Sequence, residues 1–233
     1  RRHTRSFHVT GVQTCALPIS LLYESTMTDS RLNTLNNWLK TLQASWQLDL
    51  NSLVPASADA SFRRYFRIES KNPNFGTLIV MDAPPQHEPL DAFIKVDLLL
   101  SDAGLNVPKI LEQNIAEGFL LLNDLGTKTY LAELNDETAN RLYGDATHAL
   151  VQMQLGSKPG VLPNYDRELL QRELDLFPEW YLKKHLNIQL SAIQVSQLNQ
   201  SFQAIIENNL AQAKVYVHRD YHSRNLMVTE RNN

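Results

Sequence analysis

Cysteine is nearly absent from this sequence: one, Cys15, occurs in 233 residues. A lone cysteine excludes an intramolecular disulfide and fits a reducing compartment, so the cytoplasm is the expected location. Long apolar runs are also missing. No stretch of about 18 apolar residues occurs, and no membrane-spanning helix is expected. Basic excess is missing too, with 22 Lys and Arg against 25 Asp and Glu, a formal net charge of −3 and a pI near 6.2. A nucleic-acid binder normally presents a basic face, so no such partner is expected. Apolar material is plentiful, at 43% of residues with 20% charged. That suits one globular unit, or two lobes sharing a cleft.

Residues 1–26 do not share this character. RRHTRSFHVTGVQTCALPIS is arginine-rich, lacks acids and follows neither a helical nor a strand period. Gly11 and Pro18 oppose an amphipathic transit helix, and ALPI is too short for the apolar core of a secretory signal. GVQTCALPI resembles a translated sequencing-adapter scar, so the segment is set aside as non-native, with a natural start at Met27. Without Arg1, Arg2, Arg5 and Glu24 the balance is 19 basic against 24 acidic side chains, a net of −5.

Periodicity divides the remainder. Leu32, Leu35, Leu39, Leu42 and Trp46 recur at helical spacing over residues 30–46, with Asp29 or Ser30 available as a cap. FRRYFRI and TLIVMDA read as strands separated by the turn KNPNFG, with the loop ASADAS before the first. DAPPQHEP breaks the pattern, as its prolines must. Residues 90–103 predict a helix ending at Gly104. VPKILEQ and GFLLLNDLG predict two further strands. Beyond residue 127 the periods are helical over 136–155, over 165–186 with an interruption at Pro178, and over 191–212. KVYV and LMV read as short strands around the last motif. Strands gather in one half and helices in the other. This segregation predicts an α+β fold with two lobes: a small strand-rich lobe over 27–122, a hinge over 123–127 and a partial helical lobe over 128–233.

HRDYHSRN, His218 to Asn225, has the spacing H-R-D-x-x-x-x-N of a protein-kinase catalytic loop. An Asp beside an acceptor hydroxyl can orient it and take its proton. An Asn five residues on can offer its amide oxygen to a Mg²⁺ that bridges ATP phosphates. A His at the loop start can brace the backbone. Phosphoryl transfer requires little beyond positioning and charge neutralisation. On the motif alone a bland reading stays open, since a turn between short strands is also a natural home for Asp, His, Ser and Asn.

ADASFRRYFRI, IVMDAPP, GLNVP, GFLLLNDLGTKTYL, LFPEWYL and VHRDYHSRNLMV together resemble the aminoglycoside phosphotransferase/choline kinase superfamily, which has a protein-kinase-like fold. Within it they are most similar to the bacterial anomeric sugar kinases of cell-wall recycling, over roughly Met27 to the C-terminus. The resemblance implies an ATP- and Mg²⁺-dependent enzyme that phosphorylates the C1 hydroxyl of N-acetylmuramic acid or N-acetylglucosamine. It implies Asp220 as catalytic base, Asn225 as metal ligand, and His218, Arg219 and His222 in support. Asn123, Asp124 and Leu125 would lie in the hinge that meets adenine. Asp59, Ala60, Ser61 and Arg63 would cover the phosphates, with small residues where relatives carry glycines. His222 contacts phosphate or braces the turn, and Asp124 touches a ligand or forms the turn before Gly126. Two departures stand out. Met81 sits where a kinase would often carry its phosphate-binding lysine, and the metal-binding Asp of the next loop would fall beyond Asn233. A fragment is therefore expected, poorly stable and nearly inactive on its own. An aminoglycoside phosphotransferase and a nucleotide-binding pseudokinase are the alternatives. The sequence leaves the oligomeric state open.

Overall fold

A computed structural model describes residues 30–58 and 62–229. The expectations for residues 1–26 and for Asp59, Ala60 and Ser61 lie outside these. Helix α1 spans Ser30–Trp46 and buries Leu35 and Leu39, as its spacing predicts. Strands β1 (Leu48–Ala58), β2 (Arg64–Ser70), β3 (Thr77–Asp82), β4 (Ile110–Asn114) and β5 (Phe119–Asn123) form one antiparallel sheet in the order β1-β2-β3-β5-β4. Helix α2, Leu90–Asp102, lies between β3 and β4 in the chain. Strand β1 is a correction to the sequence reading, which placed a loop from Ala56. Its register shifts twice against β2, and Pro55 lies within it. Both features suit an edge strand and erase the alternation that would announce one.

Period-two alternation gives the sheet two distinct faces. Ile68, Leu78, Val80, Phe119 and Leu121 pack with Leu35 and Leu39 of α1. Met81, Leu120 and Leu122 point the other way, joined by Tyr65 and Ile79, and pack with Leu90, Phe93 and Ile94 of α2. Gly118, ahead of β5, has φ +75°, and a Cβ there would sit 1.9 Å from the Ala83 carbonyl oxygen. Only glycine lets the two backbone segments meet, where the Ala83 N–H donates to the Gly118 carbonyl at 2.9 Å.

Helices α3 (Tyr130–Glu133), α4 (Ala139–Leu155), α5 (Arg167–Leu176) and α6 (Ala192–Leu210) follow, with a π-helical segment at Phe177–His185 between the last two. Pro178 causes the predicted interruption. It has no N–H for the α-helical ladder, and the ladder beyond it has slipped by one residue, with the Leu186 N–H donating to the Tyr181 carbonyl. Asp166 caps α5, and Ser191 with Gln194 forms a reciprocal capping box on α6. Ser157–Val217 is one compact unit and the rest of the described chain is another. Among the described residues no helix is long and apolar enough to cross a membrane.

Neither KVYV nor LMV forms a strand. Residues 214–217 run without regular pairing. LMV pairs its backbone with residues 128–130 instead: Tyr130 N–H donates to Leu226 O at 2.8 Å, Val228 N–H to Lys128 O at 2.8 Å, and Thr129 and Met227 form an isolated antiparallel bridge. A three-residue apolar run cannot reveal a partner about a hundred residues earlier.

Candidate active site

The loop from His218 to Asn225 is fastened at several points. Tyr221 packs with Tyr130, Leu142 and Ala146 of the helices α3 and α4, and its hydroxyl donates to the Ala146 carbonyl at 2.5 Å. Burial pushes that phenol up to about 12. The Leu131 N–H donates to the Ser223 carbonyl, and the Asn225 N–H closes the turn on His222. Arg219 adopts φ +69°, a left-handed conformation uncommon for a side chain of its size. Such backbone geometry persists only where surrounding contacts fix it.

These contacts present Asp220, whose residue exposure is 4%. The Asn225 Nδ2 donates to Asp220 Oδ2 at 2.7 Å and to the Asp220 carbonyl at 3.1 Å. His222 Nε2 lies 3.0 Å from Asp220 Oδ1. His222 Nδ1 accepts the Arg224 N–H at 3.2 Å, so a neutral imidazole carries its proton on Nε2, the nitrogen nearer Asp220. His218 Nδ1 likewise accepts the Asp220 N–H at 3.3 Å. Burial, with the nearby His222 adding to it, lowers the His218 pKa to about 4. His218 is therefore a neutral backbone brace at ordinary pH. The loop thus brings Asp220, Asn225, His218 and His222 together, with His222 Nδ1 accepting a backbone N–H of the same turn.

The hinge residues behave differently. Asn123 ends β5, and its side-chain oxygen accepts the Lys109 N–H at 2.5 Å. Asp124 is held by Arg67 at 2.6 and 3.1 Å, by Thr77 Oγ1 at 2.7 Å and by the Gly126 N–H at 2.8 Å. Burial pushes its carboxyl up, but these hydrogen bonds and the Arg67 charge prevail and hold it below the usual carboxylate range. Its side chain is a clasp between strands. Leu125 is half-buried in the turn that follows. Arg63 pairs with Glu88 at 3.0 Å, both side chains being largely buried. Arg64 pairs with the fully buried Asp82. The Arg63 side chain is largely buried, while that of Arg64 stays 38% exposed.

Two participants escaped the sequence reading. Tyr221 occupies an unspecified position of the motif, and its partner is a backbone carbonyl 75 residues away, so no local signal existed. Glu88 lies in a proline-rich segment that reads only as a breaker. Phe177, Tyr181 and His185, at helical spacing, form an exposed stacked column with ring separations of 5.6 and 5.7 Å.

Residues 52–233 match the model of the phosphotransferase enzyme family. The chain belongs to this family. It is 43% identical over 211 residues to an N-acetylmuramate/N-acetylglucosamine kinase of Pseudomonas aeruginosa, covering 88% of this chain and 62% of that protein. It is 42% identical over 211 residues to the protein of the same name in Pseudomonas putida, covering 88% and 61%. For the one in Neisseria meningitidis the identity is 41% over 199 residues, covering 84% and 58%. The chain thus spans about 60% of the length of these curated relatives. The antiparallel sheet with its helices fits the protein-kinase-like α+β fold expected from the sequence.

Proposed function

We propose that the phosphotransferase carrying this chain transfers the γ-phosphoryl group of ATP to the anomeric hydroxyl of N-acetylmuramic acid or N-acetylglucosamine. The observation that carries the reading is Asp220, a buried carboxylate held by Asn225 and His222 on a braced turn, in a chain whose relatives bear those substrates in their names. The sugar oxygen attacks the γ-phosphorus in line, the bond from that phosphorus to the β–γ bridging oxygen breaks, and ADP leaves. The hydroxyl proton passes to an Asp220 oxygen. An anomeric hydroxyl is more acidic than an ordinary alcohol, so one positioned carboxylate is a sufficient base.

Among the described residues no group of three or more His, Cys, Asp or Glu side chains could hold a metal. Mg²⁺ in phosphoryl-transfer sites takes one or two protein oxygens, with phosphate and water completing its shell. The donors here fit that pattern. Asn225 gives its amide nitrogen to Asp220, which leaves the amide oxygen to face the ion. Bound there, Mg²⁺ would neutralise phosphate charge. Adenine would lie near Asn123–Gly126, whose geometry the Asp124 clasp fixes. The cytoplasm, the source of ATP and recycled amino sugars, is the proposed compartment.

The test is ADP release with N-acetylmuramic acid, N-acetylglucosamine and an aminoglycoside, for the wild type and Asp220→Asn. Sugar-dependent turnover that the substitution abolishes, with ATP binding retained, is expected. ATP binding without turnover on any acceptor would favour a nucleotide-binding scaffold.

A further inference from the structure

The contacts that hold Asp220 fall into two sets. The first lies inside the turn. Asn225 Nδ2 donates to the Asp220 carboxylate and to its carbonyl. His218 Nδ1 accepts the Asp220 N–H, and the Asn225 N–H closes on the His222 carbonyl. These contacts fix Asp220 relative to its own turn. They do not fix the turn relative to the rest of the protein.

The second set does that, and it divides along the turn. The later half is strapped to residues 128–131 by backbone bonds: Leu131 N–H to Ser223 O at 2.9 Å, Tyr130 N–H to Leu226 O at 2.8 Å and Val228 N–H to Lys128 O at 2.8 Å. The earlier half, which carries Asp220, is joined to α4 through the side chain of Tyr221. The hydroxyl donates to the Ala146 carbonyl at 2.5 Å. The ring packs with Leu142, Ala146 and Tyr130, and it stands edge-on to His218 with centroids 5.0 Å apart. Ala146 is buried near the middle of a 17-residue helix, and its small side chain leaves the helix backbone open to the phenol. The hydroxyl therefore ties the turn to a rigid element. Arg219, next to Asp220, holds φ +69°, a conformation that persists only while surrounding contacts impose it.

We propose that Tyr221 is a positioning residue for phosphoryl transfer: its hydroxyl, anchored on the Ala146 carbonyl, sets where the Asp220 carboxylate stands relative to the acceptor oxygen. The proposal rests on the kinase reading above. Tyr221 acts through Asp220. A misplacement of about 1 Å can cost about a hundredfold in rate, so an anchor behind the turn can matter as much as a contact with the substrate. Burial pushes the phenol up to about 12, so the hydroxyl remains a donor at every working pH.

The test compares wild type, Tyr221→Phe and Tyr130→Phe by steady-state kinetics in ATP and sugar, each below its own unfolding midpoint. Tyr221→Phe keeps the ring, and the Ala146 carbonyl keeps its place in the helical ladder, so the variant should fold. Its kcat should fall about tenfold to a hundredfold, with the KM for each substrate within about twofold of wild type, the pattern of a group that acts only in the transition state. Tyr130→Phe removes a hydroxyl from the same cluster without touching the Ala146 contact, and its kcat should stay within about twofold of wild type. Ala146→Val crowds the contact from the helix side and should lower kcat in the same way; it decides the matter if Tyr221→Phe does not fold. An unchanged kcat in Tyr221→Phe, a change in KM alone, or equal kcat losses in the two tyrosine variants would overturn the proposal and leave the kinase reading intact. A wild type without sugar-dependent turnover would overturn both.

Discussion

Asp82 and Asp220 are both almost wholly buried carboxylates, 0% and 4% exposed, yet they keep different company. Asp82, at the end of β3, sits between two guanidinium groups. Arg31 contacts it at 2.6 Å from α1, and Arg64 at 2.5 and 2.9 Å from β2. The two guanidinium groups meet on it from either side, so Asp82 ties helix to sheet. Asp220 is held by an amide and by an imidazole whose other nitrogen accepts a backbone N–H. The amide holds one carboxylate oxygen by a hydrogen bond, and the imidazole lies beside the other. Burial alone does not mark a catalytic group; two arginines from α1 and β2 hold Asp82, while residues of its own turn hold Asp220.

Substitutions at the two positions should therefore have opposite signatures. Asp220→Asn should lower turnover by about 10²–10⁴-fold, the usual range for loss of a general base. Its unfolding free energy should fall by only about 1 kcal/mol, because the amide keeps the side chain's shape and one acceptor oxygen where the carboxylate offered two. Asp82→Ala should cost about 3 kcal/mol or more, since it leaves two guanidinium groups facing one another around a lost anion. Urea denaturation of both variants, with ATP binding measured on the folded fraction, checks the contrast. An Asp220→Asn protein that unfolds as readily as Asp82→Ala would erase it.

Titration sharpens the same comparison. The His218 pKa is lowered to about 4 by burial, against about 6.5 in an unfolded chain. Between those values the unfolded chain binds more protons. Stability from this group is complete above about pH 6.5 and is lost as pH falls toward 4. The loss is at most about 3 kcal/mol, and His218→Asn should flatten that part of the stability profile. Asp97 gives the smallest and opposite effect. Burial in α2 raises its pKa to about 6, so it favours the folded state at low pH and loses that contribution as pH rises from about 4 through 6. Asp97→Asn should stabilise the protein by about 1 kcal/mol above pH 7 and by nothing near pH 4. Denaturation series across pH 4–8 separate the two.

How much of this was legible in the sequence depended on the range of the signal. Helix α1, strands β2 and β3 and the turn between them announce themselves through local period and turn residues. The catalytic-loop spacing is likewise local, and it brought Asp220, Asn225, His218 and His222 into view together. What failed to show was non-local or irregular. Strand β1 is interrupted by bulges and Pro55. The segment LMV finds its backbone partners at residues 128–130, and Tyr221 finds its own in α4. The pairings of Arg63 with Glu88 and of Asp124 with Arg67 depend on tertiary geometry that neither spacing nor composition encodes.

The most direct test of the proposed activity is a ³¹P nuclear magnetic resonance spectrum of the product formed from ATP and N-acetylmuramic acid. A sugar phosphate resonance coupled to the anomeric proton, absent when Asp220→Asn replaces the wild type, is the predicted result. A phosphate coupled to any other sugar proton, or unchanged product formation by Asp220→Asn, would contradict the account.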